Sequence, residues 1–255
     1  GALVAAEMFD RHIPVLRCPP VLHATLSRAH HTRITSDRLE ADGQSYPLTP
    51  LPAPERRLSD ASPLRPERVV AEIDRLIPSD AIVVADASYS SIWVADGITI
   101  RKAGQRVLTP RGLAGLGWGL PYALGAKAAQ PDAPVICLTG DGGFAHVWGE
   151  IETSKRMNLP VVVVVLNNQI LGYQKHAELT LFGAYTDVVH FQPVDHAAIA
   201  HACGVEGIRI DNPADLPAAL EKALSSNVLT VIDVMTDERA YPPVTSFTGK
   251  QALDY

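Results

Sequence analysis

Two short polar stretches each follow an apolar run: Gly140-Asp141-Gly142-Gly143 after 134–138, and Asn167-Asn168-Gln169-Ile170 after 161–166. Twenty-four residues lie between Gly142 and Asn167. Asp141 offers a carboxylate and Asn168 an amide oxygen, hard donors that suit a divalent cation such as Mg2+. So small a protein ligand set leaves positions for phosphate oxygens and water, which Mg2+ prefers to keep. Gly142 and Gly143 let a ligand come close to the backbone, and a helix opening there would favour an anion. The combination reads as a Mg2+-bridged diphosphate site. Either stretch alone is equally what a tight turn looks like.

The elements that must position these residues alternate along the chain. Apolar strands are expected over 81–85, 134–138, 161–166, 205–210 and 229–235. Helices are expected over 66–76, 113–129, 144–157, 195–203 and 213–224. Strands apolar on both faces and alternating with helices predict an α/β fold: three layers, a mostly parallel sheet with helices on both faces. Ligands of such sheets bind where loops leave the carboxyl ends of the strands. Both polar stretches lie there, as does Asp86-Ala87-Ser88-Tyr89-Ser90-Ser91 after the strand at 81–85. Residues 88–91 also read as a capped helix start. A nucleotide-binding α/β protein is the competing reading, but no Gly-x-Gly-x-x-Gly opens the first βα turn and no Gly-Lys-Ser/Thr loop occurs.

The remaining composition sets bounds. The 255 residues are 47% apolar and 20% charged, ordinary for a globular chain of one or two domains. A net charge of −6 gives no basic surface for nucleic acid, and 6% aromatics make a base-stacking platform improbable. Cys18, Cys137 and Cys203 lie far apart, which argues against a disulfide scaffold or a zinc site and fits a reducing, cytoplasmic setting. No apolar run approaches the ~20 residues of a membrane span, and no signal peptide is visible. The first residue is Gly, so the chain is read as a piece of something longer.

Six prolines within 47–66 predict a linker that holds neither helix nor central strand. The expected organisation is a partial N-terminal segment (1–46), a Pro-rich linker (47–63), a main domain (64–245) and a tail (246–255). In the N-terminal segment, 2–9 reads as helix, 13–17 as strand and Asp42-Gly43 as a hairpin turn. His12, His23, His30 and His31 lack metal-ligand spacing and read as surface residues.

The Gly-Asp-Gly and Asn-Asn pair, with its spacing and strand context, resembles the signature of thiamin diphosphate (ThDP) enzymes. Residues 64–241 look like the C-terminal, diphosphate-binding (PP) domain of the pyruvate decarboxylase and acetolactate synthase superfamily. The resemblance implies that Asp141, the Asn168 side chain and the Ile170 carbonyl bind Mg2+. Backbone groups of Gly142, Gly143 and Leu171 would meet the diphosphate, with Gly140 and Gly172 beside them. Ser90, with Tyr89, falls where the family contacts the terminal phosphate, although many acetolactate synthases show Gln-His there. The segment 111–121 resembles the part that holds the aminopyrimidine ring, where the Ala114 carbonyl would accept from the exocyclic amine and Leu116 would wedge the cofactor into its bent form. Tyr173 and Gln174 are the substrate-pocket candidates, while Ala177 stands where acetolactate synthases usually carry Trp. Glu150, Glu152 and His146 read as structural or surface residues.

By the same resemblance the reaction is decarboxylation of a small 2-ketoacid, C–C carboligation, or both, through a ThDP enamine. The Glu that activates the pyrimidine is expected on a separate pyrimidine-binding (PYR) domain, in the full-length chain or on a partner subunit of a homo-oligomer, dimer or tetramer. Glu7 lacks the context for that role. This chain alone is therefore expected to be inactive. A non-catalytic assembly subunit of the same fold is the other alternative, against which the intact Asp141 and Asn168 argue. Residues 1–15 and the Asp-Gly hairpin also resemble, over a short stretch, the end of an aconitase-X-type swivelling domain.

Overall fold

The structure, a computed structural model, describes residues 54–110 and 112–242, and outside them only the backbone of a few short strands. Of those strands, Arg38–Ala41 pairs antiparallel with Gln44–Pro47, with Ala41 opposite Gln44. That register leaves two residues between the strands, as a turn at Asp42-Gly43 requires. The helix at 2–9, the strand at 13–17, Cys18 and the four N-terminal histidines lie outside the described residues.

Six strands form one sheet: β1 (Ile82–Ala85), β2 (Val107–Leu108), β3 (Val135–Gly140), β4 (Val162–Asn167), β5 (Glu206–Ile210) and β6 (Thr230–Met235). Their order is β2-β1-β3-β4-β6-β5, and every pairing is parallel. The chain runs outward from β1 to β2, then crosses back to place β3 on the other side of β1. A crevice opens at the carboxyl ends where the winding reverses.

The valine run 161–165 shows why the sheet is central. Val162 and Val164 pack on one face against Val70 and Ile73 of α1 (Pro66–Leu76), Trp93 of α2 (Tyr89–Gly97) and Leu220 of α8 (Leu216–Leu224). Val161, Val163 and Val165 pack on the other, against Leu120 of α3 (Gly119–Ala129), Phe144 of α4 (Asp141–Ala145), Ile151 of α5 (Glu150–Met157) and Ala200 of α7 (His196–Ala202). Alternate residues go to opposite faces, so a strand buried on both sides must be apolar throughout. Each fully buried valine contributes about 2 kcal/mol. α6 (Gly172–Phe182) follows β4 at the carboxyl edge.

Three expectations need correction. The helix expected over 113–129 begins only at Gly119. Ala114 and Gly117 have φ of 52° and 87°, which no right-handed helix accommodates. The helix expected over 144–157 is two, because bonds from the N–H groups of His146, Val147, Glu150 and Ile151 run to the third residue back and tighten the chain between α4 and α5. The Pro-rich stretch holds one helical turn, Pro54–Arg57, with Pro54 at the first position, where a missing N–H removes no helical bond.

Candidate functional site

A cleft of about 600 Å3 opens at the carboxyl ends of β1, β3, β4 and β6. It brings together every residue named above for cofactor, metal or substrate: Tyr89 and Ser90 after β1, Ala114 and Leu116 from the loop before α3, Gly140 to Gly143 after β3, and Asn168 and Ile170 to Gln174 after β4. Thr236 after β6 completes the floor. Asp141 and Glu178 are the charged lining groups, and no Lys, Arg or His lines the cleft among the described residues.

Asp141 sits at the start of α4 and is 6% exposed. Its Oδ1 accepts the Gly142 N–H at 2.8 Å and its Oδ2 the Gln169 N–H at 2.6 Å. Burial raises its carboxyl to about 6, against the lowering effect of those two amides. Among the described residues no cation pairs with it. The Asn168 Oδ1 accepts the Ile170 N–H at 3.3 Å, and the Ile170 carbonyl accepts the Gly172 N–H at 2.9 Å. The Asp141 carboxylate at the end of β3 thus meets the loop after β4, which carries the amide and carbonyl oxygens, each with lone pairs to spare. Among the described residues no three or more His, Cys, Asp or Glu are grouped so that they could hold a metal ion.

The loop 168–171 is held by a strap. Leu171 N–H donates to the Val189 carbonyl and Phe191 N–H to the Gln169 carbonyl, both at 2.8 Å. The Phe191 ring then packs on Gly142, where a Cβ would approach it to 3.0 Å. Gly142 is therefore demanded by packing as well as by any ligand. Among the described residues, four non-glycines have positive φ; Ser88, Ala114 and Gln169 are at this cleft, and the fourth, Asn158, terminates α5. Backbone strain concentrated at one end of a sheet marks a functional site.

Sequence reasoning missed Asp86. It is 1% exposed, at the end of β1. It accepts from the N–H groups of Ala87 (2.8 Å), Gly117 (3.0 Å), Trp118 (3.1 Å) and Gly119 (3.3 Å), and from the Thr139 hydroxyl (3.1 Å). Its signal was a lone acid ending an all-apolar strand. His176 is a second residue that the fold brings to this site. It is buried on α6, its Nδ1 hydrogen-bonds the Tyr89 hydroxyl, and its ring lies 4.6 Å from that of Tyr241. Burial lowers its pKa and raises that of Tyr89.

On the same helix, Glu178 lines the cleft and is fixed by the Gln174 amide (2.7 Å) and the Thr186 N–H (2.7 Å). These donors hold its carboxyl below the usual range. Ala177 is half-buried and is not among the lining residues. Glu150 and His146 lie off the cleft between α4 and α5, and Glu152 pairs with Arg156 at 2.9 Å on the exposed face of α5.

Residues 86–234 match the protein family described as thiamine pyrophosphate enzyme, C-terminal TPP binding domain. Among curated relatives, the chain is 35% identical over 174 residues to the putative thiamine pyrophosphate-containing protein YdaP of Bacillus subtilis, covering 68% of this chain and 30% of that protein. It is 34% identical over 185 residues to the acetolactate synthase isozyme 3 large subunit of Escherichia coli, covering 70% and 32%. The Rhodococcus jostii thiamine diphosphate-dependent 4-hydroxybenzoylformate decarboxylase superposes with a TM-score of 0.67 at 30% identity, over 75% of this chain and 36% of that one. The match therefore spans about a third of the length of these relatives.

Proposed function

Because the chain belongs to the family of C-terminal TPP-binding domains of thiamine pyrophosphate enzymes, we propose that it holds ThDP through Mg2+ and forms half of the active site of an acetolactate-synthase-like enzyme acting on 2-ketoacids. Asp141 is the observation that carries this. A carboxylate so buried, with two amide partners and no cation among the described residues, is stabilised when a divalent ion takes its free lone pairs. A diphosphate in a cleft whose described lining has no Lys, Arg or His needs that same ion to offset its charge.

In this reading Asp141, the Asn168 side chain and the Ile170 carbonyl hold Mg2+. Backbone groups of Gly140, Gly142, Gly143, Leu171 and Gly172, with Tyr89 and Ser90, seat the diphosphate. The Ala114 carbonyl would accept from the aminopyrimidine and Leu116 would pack against the cofactor. Bound ThDP supplies the carbon nucleophile and electron sink for decarboxylation or carboligation, a lyase or transferase outcome. Tyr173 and Gln174 face the substrate, with Glu178 beside them. Polar groups here favour a ketoacid bulkier or more polar than pyruvate.

The activating Glu comes from a PYR domain, in a longer form of this chain or on another subunit of a homo-oligomer, dimer or tetramer. The dispersed cysteines support a reducing, cytoplasmic setting. No helix among the described residues is long and apolar enough to cross a membrane.

The test is calorimetric titration of the chain with ThDP, with Mg2+ and with EDTA, and with NAD as the competing ligand. Binding of ThDP that requires Mg2+, with none of NAD, is expected; the reverse preference overturns the reading. The chain alone should release no CO2 from pyruvate, and measurable release would show that the site is complete without a PYR domain.

A further inference from the structure

The loop 112–118 carries Ala114 and Leu116 to the cleft, yet little holds it in place. Leu113 is 97% and Leu116 38% exposed, so packing within the chain contributes little. Among the described residues, the hydrogen bonds to 112–117 come down to one: Gly117 N–H to Asp86. The next two N–H groups, of Trp118 and Gly119, go to the same carboxylate and take the place of an N-cap side chain on α3. The same Oδ2 that accepts from Gly117 also accepts from Thr139, one residue before Gly140.

Resting on the ThDP reading above, we infer that Asp86 is a positioning residue for the cofactor's ring: it fixes the 112–119 loop against the Gly140–Gly143 turn and so sets the seat of the aminopyrimidine without itself lining the cleft. The glycines agree. A Cβ on Gly119 would stand 3.0 Å from Asp86 Cβ, and one on Gly143 would stand 2.1 Å from Asp86 Oδ2. At Gly143 the Asp86 carboxylate fills that space, and at Gly119 the Asp86 Cβ and the Cys137 sulfur do. Ala114, held at φ 52°, keeps its strained conformation only while the chain three residues on is anchored.

An asparagine at 86 keeps the shape and one acceptor oxygen but leaves a loop N–H facing an NH2 group. In Asp86→Asn, hydrogen exchange at the amides of Gly117 to Gly119 should accelerate about tenfold or more, while the β4 amides stay protected. ThDP affinity with Mg2+ should fall about tenfold, and affinity for inorganic pyrophosphate with Mg2+ should stay within about twofold, because only the ring seat is loosened. Gly143→Ala pushes on the carboxylate from the opposite side, and should give the same exchange signature at 117–119; it decides the matter if Asp86→Asn does not fold. Unchanged protection at 117–119, or equal loss of both ligands, would overturn the inference. Failure of the wild-type chain to bind either ligand would instead count against the ThDP reading and leave the exchange arm to judge Asp86.

Discussion

Asp86 and Asp141 end neighbouring strands, are both buried, and neither has a cation beside it among the described residues. They differ in how many donors face them. Asp86 receives five, four of them backbone N–H groups, so its charge is fully met by the fold. Asp141 receives two, and burial lifts its carboxyl to about 6. A buried acid saturated by amides is an anchor. In the proposed function a buried acid left short of donors serves as a cation ligand, and on that reading the contrast separates positioning from binding within one cleft.

The largest expected effect breaks the binding side. Asp141→Ala removes the one carboxylate of the proposed metal set from a strand end outside the apolar core. Mg2+-dependent ThDP affinity should fall at least about a hundredfold, with circular dichroism unchanged. Wild-type affinity in that variant, read by calorimetry, would remove Asp141 from the metal site.

Next in size is a difference of sign in stability without metal. With a folded value near 6 against an ordinary one near 3.8, the charged Asp141 carboxylate opposes folding above pH 6, and the penalty fades as pH falls through about 6. At pH 8 in EDTA, Asp141→Asn should therefore be at least as stable as wild type in urea. Asp86→Asn should be less stable by about 2 kcal/mol, since it leaves a buried N–H unpaired. Equal destabilisation by both would erase the distinction between the two acids.

The residues proposed for binding stand out in the sequence and the anchoring ones do not, for a physical reason. Gly140–Gly143 and Asn168–Ile170 are contiguous motifs, each announced by an apolar strand directly before it. Asp86 acts on donors 31 to 53 residues away, a relation that only the fold creates. The same holds for Tyr89 and His176, 87 residues apart. Local apolar period placed all the long strands but misjudged 113–118, where the Gly- and Ala-rich stretch reads as helix although φ at Ala114 and Gly117 is positive. Period also ran through the break between α4 and α5, where Trp148 turns to donate its indole N–H to His196.

A third buried acid sharpens the comparison. Asp233, in the middle of β6, has what Asp141 lacks: Arg209 at 3.0 Å, with the Asn167 amide and the His196 N–H at 2.9 Å each. The His196 ring beside it is 2% exposed, and its Nδ1 must stay unprotonated to accept from Trp148 at 3.2 Å. Burial lowers the His196 pKa; Asp233 and Asp195 oppose that and Arg209 adds to it. The unfolded imidazole, near 6.5, therefore binds protons before the folded one does. Stability from this site is present above about pH 7 and is lost as pH falls below the unfolded value. The opposing contribution of Asp141 in that window is common to wild type and His196→Gln and cancels in their difference. Urea midpoints in EDTA should show the gap between the two proteins narrowing from pH 7.5 to 5.5. A gap that stays constant would mean that His196 takes up its proton in the folded chain as readily as in the unfolded one.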